Sequence, residues 1–168
     1  DALALSGIEA MSLRLGNIYG PGEIARPSRP RVSLVRQMLD AAAAGEPIRV
    51  ETPDAVRDWT FAPDIGRHVA RLVRAPALPG RLLHLVAPHP AADRTLAETI
   101  AAARPGTKVA PGTAAAIRPP LESRYPELRA DAEWTPLATG IAMTMRADRA
   151  PSSDNPVRPG RTTAELSA

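Results

Sequence analysis

An α/β fold is what the sequence predicts, and three stretches predict it. Residues 10–16 alternate, with Met11, Leu13 and Leu15 on one side and Ser12 and Arg14 on the other, which is the period of a strand. Residues 32–44 place Val35, Met38, Leu39 and Ala42 at helical spacing. Residues 59–86 then run strand, helix, strand. Strands that alternate with helices define the α/β class. With 168 residues, 44% of them hydrophobic, the chain can bury one ordinary core. Aromatics are only 3%, so that core rests on Ala, Leu, Val and Ile.

Taken in order, residues 1–6 are apolar and helical in composition and end at Gly7. The strand over 10–16 follows. Gly16 to Pro30 reads as loop, punctuated by Gly20, Pro21, Gly22, Pro27 and Pro30. The helix over 32–44 stops at Gly45, a residue suited to the left-handed position just past a helix. Ile48 and Val50 mark a short strand, and Trp59 and Phe61, alternating with Asp58 and Thr60, mark another. A helix starts near Pro63-Asp64, because proline fits a first turn and aspartate there favours the dipole. Ile65, Val69, Leu72 and Val73 form its apolar stripe. Residues 81–86 are a buried strand. Thr95-Leu96-Ala97-Glu98 has the capping-box pattern, ahead of a helix to Ala103. Residues 107–126 are proline-rich and show no period. Leu137, Ile141 and Met145 mark the last helix. From Arg149 the composition turns to Pro, Ser, Asp, Asn and Thr. Residues 149–168 are therefore expected to be a disordered tail, and 1–148 the folded unit. Three to five strands are too few for a complete doubly wound sheet, so some are expected to need partners from further sequence.

Charge and composition narrow the function. Lys and Arg total 21 against 18 Asp and Glu, a net charge of +3, and Lys108 is the one lysine. Guanidinium groups suit phosphate or carboxylate recognition, although most are expected on solvated surface. The basic residues do not cluster and stacking aromatics are few, which argues against nucleic acid as a partner. The lack of cysteine excludes disulfides, thiolate catalysis and Cys-ligated zinc. The spacing of His68, His84 and His89 suggests no metal site. His68 is expected on an exposed helix face and His84 as a hydrogen-bonded strand histidine. The sequence holds no signal peptide and no apolar run of about 18 residues, so no membrane contact and a cytoplasmic location are expected.

Two segments carry chemistry. The first is Leu13-Arg14-Leu15-Gly16-Asn17-Ile18-Tyr19-Gly20-Pro21-Gly22, a strand that ends abruptly at Gly16-Asn17. Ligands of open α/β sheets bind beyond the carboxyl ends of strands, and an asparagine there offers donors and an acceptor. Asn17 either meets a ligand or caps a turn at which Gly16 permits a bend. The second is Arg57-Asp58-Trp59-Thr60-Phe61-Ala62-Pro63-Asp64-Ile65. Arg57 either meets a phosphate or pairs with Asp58 or Asp54. Together these segments resemble the substrate-side half of the extended short-chain dehydrogenases/reductases, the NAD-dependent epimerase/dehydratase family. The sequence departs from the family pattern in four places. Thr52-Pro53-Asp54-Ala55-Val56 replaces a Gly-x-Gly turn, and Pro63 stands where a polar residue is common. His84 takes the place of an asparagine, and Glu133-Trp134-Thr135-Pro136 that of Gly-Trp-x-Pro.

The resemblance implies the C-terminal portion of a doubly wound Rossmann-type sheet plus a small substrate-binding α/β lobe. It implies that Leu15 and Gly16 lie beside the nicotinamide of NAD or NADP. Asn17 would contact a nucleotide-sugar substrate, and Arg57 would bind its diphosphate. Asp58 is expected to hold local structure and Asp64 to start a helix. The family's Gly-rich loop and its Tyr-x-x-x-Lys pair lie upstream of the first segment, and neither stands in this sequence. Tyr19 has no lysine four residues on. No catalytic residue is therefore assigned, and tight binding of NAD or NADP by this chain alone is not expected. The implied partners are a nucleotide-sugar or similar anionic small molecule, the missing N-terminal Rossmann portion and, at full length, a second copy in a homodimer. A non-catalytic binding domain derived from the same lobe is the alternative reading.

Overall fold

A computed structural model describes residues 10–77, 80–115, 119–123 and 134–149. The expected helix over 1–6 lies outside the described residues. So does the expected tail over 149–168, except for Arg149, which ends the last helix instead of opening the tail.

Strand β1 (Ser12–Leu15) and strand β2 (Asn17–Tyr19) are separated by Gly16 alone. After them come α1 (Leu34–Ala44), β3 (Ile48–Val50) and β4 (Val56–Arg57), then β5 (Trp59–Phe61), α2 (Ala62–Val73) and β6 (Leu82–Leu85). The remainder is β7 (Ala91–Ala92), α3 (Asp93–Ala103), β8 (Val109–Pro111) and α4 (Leu137–Arg149). β1 pairs in parallel with β6, and β2 in parallel with β5. One extended run thus serves two ladders and changes partner at Gly16. The expected loop from Gly16 is corrected accordingly: the chain stays extended through Tyr19 because β5 offers it a second set of backbone partners. β3 pairs in parallel with β8, and β4 antiparallel with β7. The fold is mixed α/β with parallel pairing, as expected.

The core forms where α1, α3 and α4 close over β3 and β5. α1 is capped by the Ser33 hydroxyl, which accepts from the Arg36 N–H, and it ends at Gly45 with φ of 74°, the left-handed position expected there. Its buried stripe is Val35, Met38, Leu39 and Ala42. α3 adds Leu96, Ala97 and Ile100, and α4 adds Ile141 and Met145. Ile48, Leu96, Ile100 and Ile141 are wholly hidden, each worth about 1.5–3 kcal/mol of burial.

α3 starts at Asp93, not at Thr95. The Asp93 N–H donates to the Ala55 carbonyl at 2.9 Å, so the β4–β7 ladder sets the first turn before the capping-box threonine is reached. α2 follows β5 with no intervening loop, and Phe61 is both the last strand residue and the cap position. Its buried face is Asp64, His68 and Leu72, while Val73 is 79% exposed. The expectation of an exposed His68 is thereby corrected: the His68 ring lies against Trp134, with centroids 4.1 Å apart. His84 sits on β6 with Nδ1 3.0 Å from the Glu122 carbonyl oxygen.

Candidate functional site

The junction of β1 and β2 is held by a buried carboxylate. Asp58 is 1% exposed. Its Oδ2 accepts from the Asn17 backbone N–H at 3.0 Å, and its Oδ1 accepts from Asn17 Nδ2 at 3.0 Å. A Cβ on Gly16 would lie 1.4 Å from Asp58 Oδ2 and 2.9 Å from Val86 Cγ1. Gly16 is therefore glycine because a carboxylate rests on its Cα, not because the backbone bends there. A buried carboxylate needs donors, and Asn17 supplies two of them. Thr60, at 0% exposure, continues the lock, with its hydroxyl accepting from the Ala87 N–H at 3.0 Å.

Arg57 faces another way. Its Nε and Nη2 donate to the two oxygens of Asp93 at 2.8 and 3.1 Å, and Thr52 Oγ1 donates to Asp93 Oδ2 at 2.9 Å. The partner is thus Asp93, on α3, and not Asp58 or Asp54. The hydrogen bonds to Asp93 raise the guanidinium pKa above its usual value, against a partial loss of hydration. Asp93 is buried and the Arg57 side chain is 37% exposed. A guanidinium has five N–H donors, so the pair leaves part of the fork for an outside acceptor. Trp59 lies beneath, with Arg57 Cζ 5.9 Å from its ring centroid.

Tyr19 and Asp64 complete the support. The Tyr19 hydroxyl donates to the Leu137 carbonyl at 3.4 Å, and a Cβ on Gly140 would fall 2.1 Å from that hydroxyl. Burial, and then the nearby Asp64 carboxylate, raise the phenol pKa well above its ordinary value. Tyr19 is thus a buried neutral phenol that docks α4, and it is unsuited to act as a base. Asp64 accepts from Arg67 at 2.6 Å and from the Thr135 N–H and hydroxyl at 2.7 and 2.8 Å. The expectation that it starts α2 is corrected: that helix begins two residues earlier, at Ala62, with no side-chain cap. Asp64 lies in the first turn and instead anchors the Trp134-Thr135-Pro136 segment.

A cleft of about 640 Å³ opens over the end of β2. Gly16, Ile18, Tyr19 and Ala62 form its floor, and residues 20–24 with Arg26, Ser28 and Arg29 wall it. That volume is in the range of small-molecule sites, and the position beyond a strand end is the usual one for α/β sheets. Of the residues expected at a site, Gly16 borders the cleft, Leu15 (41% exposed) precedes it and Asn17 adjoins it, tied to Asp58. Arg57 does not line it. The wall arginines Arg26 and Arg29 escape a reading of the sequence because they sit in a proline-rich loop with no motif. Among the described residues, no group of three His, Asp or Glu side chains could hold a metal ion, and no helix is long and apolar enough to cross a membrane.

Residues 2–84 match the NAD dependent epimerase/dehydratase family. The epimerase/dehydratase match thus includes both signature segments, the Gly16–Asp58 lock and the cleft. No curated protein matches the sequence. Solved structures do match its fold. The UDP-glucose 4-epimerase of Thermus thermophilus, in complex with NAD, superimposes with a TM-score of 0.65 at 20% identity, over 89% of this chain and 50% of that one. Epimerase Mth375 of Methanothermobacter thermautotrophicus gives 0.69 at 21% identity, over 86% and 44%. Bordetella bronchiseptica WbmF, in complex with NAD+ and UDP, gives 0.66 at 20% identity, over 82% and 44%. The chain therefore spans about half the length, or less, of the solved structures it resembles.

Proposed function

We propose that the chain is the substrate-binding half of an NAD(P)-dependent nucleotide-sugar epimerase, dehydratase or reductase. The observation that carries this reading is the Asp58 lock. It holds Gly16 and Asn17 at the strand ends, beside a cleft of ligand size. Two similar structures support it by their ligands, one holding NAD and the other NAD+ and UDP. In this reading Leu15 and Gly16 border the nicotinamide, Asn17 orients the substrate, and Arg57 gives its remaining donors to a diphosphate. Bound NAD or NADP would accept or return a hydride. The residues present here suit one end of such a cofactor: Gly16 leaves a bare backbone at the cleft, and a side chain there would be excluded by Asp58. They include no glycine-rich loop for the pyrophosphate. The work of this chain is to bind and orient; the tyrosine and lysine that move the proton belong, by family resemblance, to sequence outside it.

Calorimetry with UDP-glucose tests the reading. Arg57→Ala is expected to weaken binding by about 1.5–3 kcal/mol, the worth of a hydrogen bond to a charged group. Arg57→Lys should restore only part, since an ammonium lacks the fork. An unchanged affinity in Arg57→Ala would make Arg57 a structural partner of Asp93 and end its ligand role. A non-catalytic binding lobe is the second reading; UDP-glucose binding without turnover, even after addition of the rest of a longer enzyme, would favour it.

A further inference from the structure

The cleft carries positive charge of its own, apart from Arg57. Arg26 and Arg29 close a tight hairpin in which each backbone N–H reaches the other's carbonyl, at 3.1 and 2.9 Å. Both arginines border the cleft, and Glu23 is the one carboxylate-bearing residue, among the described residues, that borders it with them. Glu23 is already engaged. Its two oxygens accept from the Ser33 N–H and hydroxyl, both at 2.6 Å, and Arg29 Nη2 donates to it at 3.2 Å. Arg26 forms no ion pair among the described residues. Glu23 thus offsets Arg29 and fixes the wall, while Arg26 keeps an uncompensated charge at the mouth.

Arg57 lies outside this cleft, paired with Asp93 on a different ladder. A diphosphate held at Arg57 would leave Arg26 to another part of the same ligand. Resting on the nucleotide-sugar reading, that part is the sugar, which sits towards Gly16. We infer that the sugar is acidic: the site selects a nucleoside-diphosphate hexuronate over the neutral hexose. A carboxylate carries the single negative charge that the wall leaves unmatched, and its two oxygens fit a guanidinium fork. A phosphate monoester in the same place would bring nearly two negative charges beside Glu23, and like-charge repulsion would oppose it.

The test is calorimetry on the chain with UDP-glucuronate, UDP-glucose and UDP. UDP-glucuronate should bind about tenfold more tightly than UDP-glucose, the lower end of what a charge-assisted hydrogen bond supplies. Arg26→Gln should bring UDP-glucuronate down to the affinity of UDP-glucose. Arg26 is exposed, so this variant is expected to fold, and Arg29→Gln serves as a second probe of the same wall. Equal binding of the two sugar nucleotides, both weakened by Arg57→Ala, would overturn the acidic-sugar inference and leave the nucleotide-sugar reading standing. A preference for UDP-glucuronate that survives both Arg26→Gln and Arg29→Gln would also overturn it, because the carboxylate would then be recognised elsewhere. Failure of all three ligands to bind would overturn both readings.

Discussion

Residues 13–19 with 57–64 and residues 20–29 border the same place and do opposite jobs. The first set carries the family pattern and spends most of its polar groups on the protein itself. Asp58 goes to Asn17 and Gly16, Arg57 to Asp93, Asp64 to Thr135, and Tyr19 to α4. The second set leaves the pattern after Gly20-Pro21-Gly22 and walls the cleft. A residue type is most tightly dictated where a buried group allows no alternative, so a signature marks scaffold at least as much as chemistry. Loop residues that face solvent and ligand are free to differ, and they are where a substrate would be chosen.

The contrast predicts that substitutions in the first set cost folding, while those of Arg26 and Arg29 in the second cost only binding. Gly16→Ala should have the largest effect. It drives a methyl into the Asp58 side chain and separates that buried group from its donors. The loss is about 3 kcal/mol or more from overpacking and unmade hydrogen bonds together, read from a urea or thermal melt. A stability within about 1 kcal/mol of wild type, a small part of what an ordinary domain has, would show the lock to be soft. Gly140→Ala should come next, at about 1–3 kcal/mol, since the new methyl meets the Tyr19 hydroxyl and the core must shift.

Asn17→Ala lies on the boundary between the two sets. Loss of its bond to Asp58 should lower stability by about 1 kcal/mol, and loss of a positioning group should lower affinity for UDP-glucose about tenfold. A stability change with affinity intact would move Asn17 wholly into the scaffold.

His68 sharpens the comparison through pH. Burial, and then the Arg71 charge, lower its pKa below the ordinary 6.5, with Asp64 opposing and Arg67 adding to the effect. The unfolded chain therefore binds the proton first. Stability should be full above about pH 6.5 and fall as the pH drops through the window between that value and the lower folded pKa. His68→Gln should flatten that part of the profile. The smallest effect belongs to Thr95→Ala, expected within about 0.5 kcal/mol of wild type, because the exposed Thr95 caps nothing.

Much of the fold is legible in the sequence because its periods are local. The α1 stripe, Gly45, the strand at 48–50 and the start of α4 follow from spacing and turn chemistry alone. β2 reads as loop because it is three residues of glycine-flanked chain, and only β5, distant in sequence, makes it a strand. The start of α3 is misplaced by local signals because a threonine and glutamate at capping spacing outweigh an aspartate whose partners, Arg57 and Thr52, lie far upstream. His68 reads as exposed because its cover, Trp134, comes from a remote segment. At the site, a strand end points to Gly16 and Asn17, whereas Arg26 and Arg29 need the folded loop to show what they face.

The ladders also say something about the order in which the molecule can assemble. Each one among the described residues joins strands with other elements between them; Ser12 registers with Leu82, and Ile48 with Val109. No strand among them can complete its backbone bonds with the next one along. Loop closure must come before any ladder is rewarded, and chains of this kind fold slowly for their size. The α1 helix, with its own cap at each end, can form early. β1 and β2 cannot, and they wait with Leu13, Leu15 and Ile18 in water until β5 and β6 arrive. The same joint that a single glycine makes possible thus closes late, and during that wait its unpaired strands are open to pairing with a neighbouring molecule.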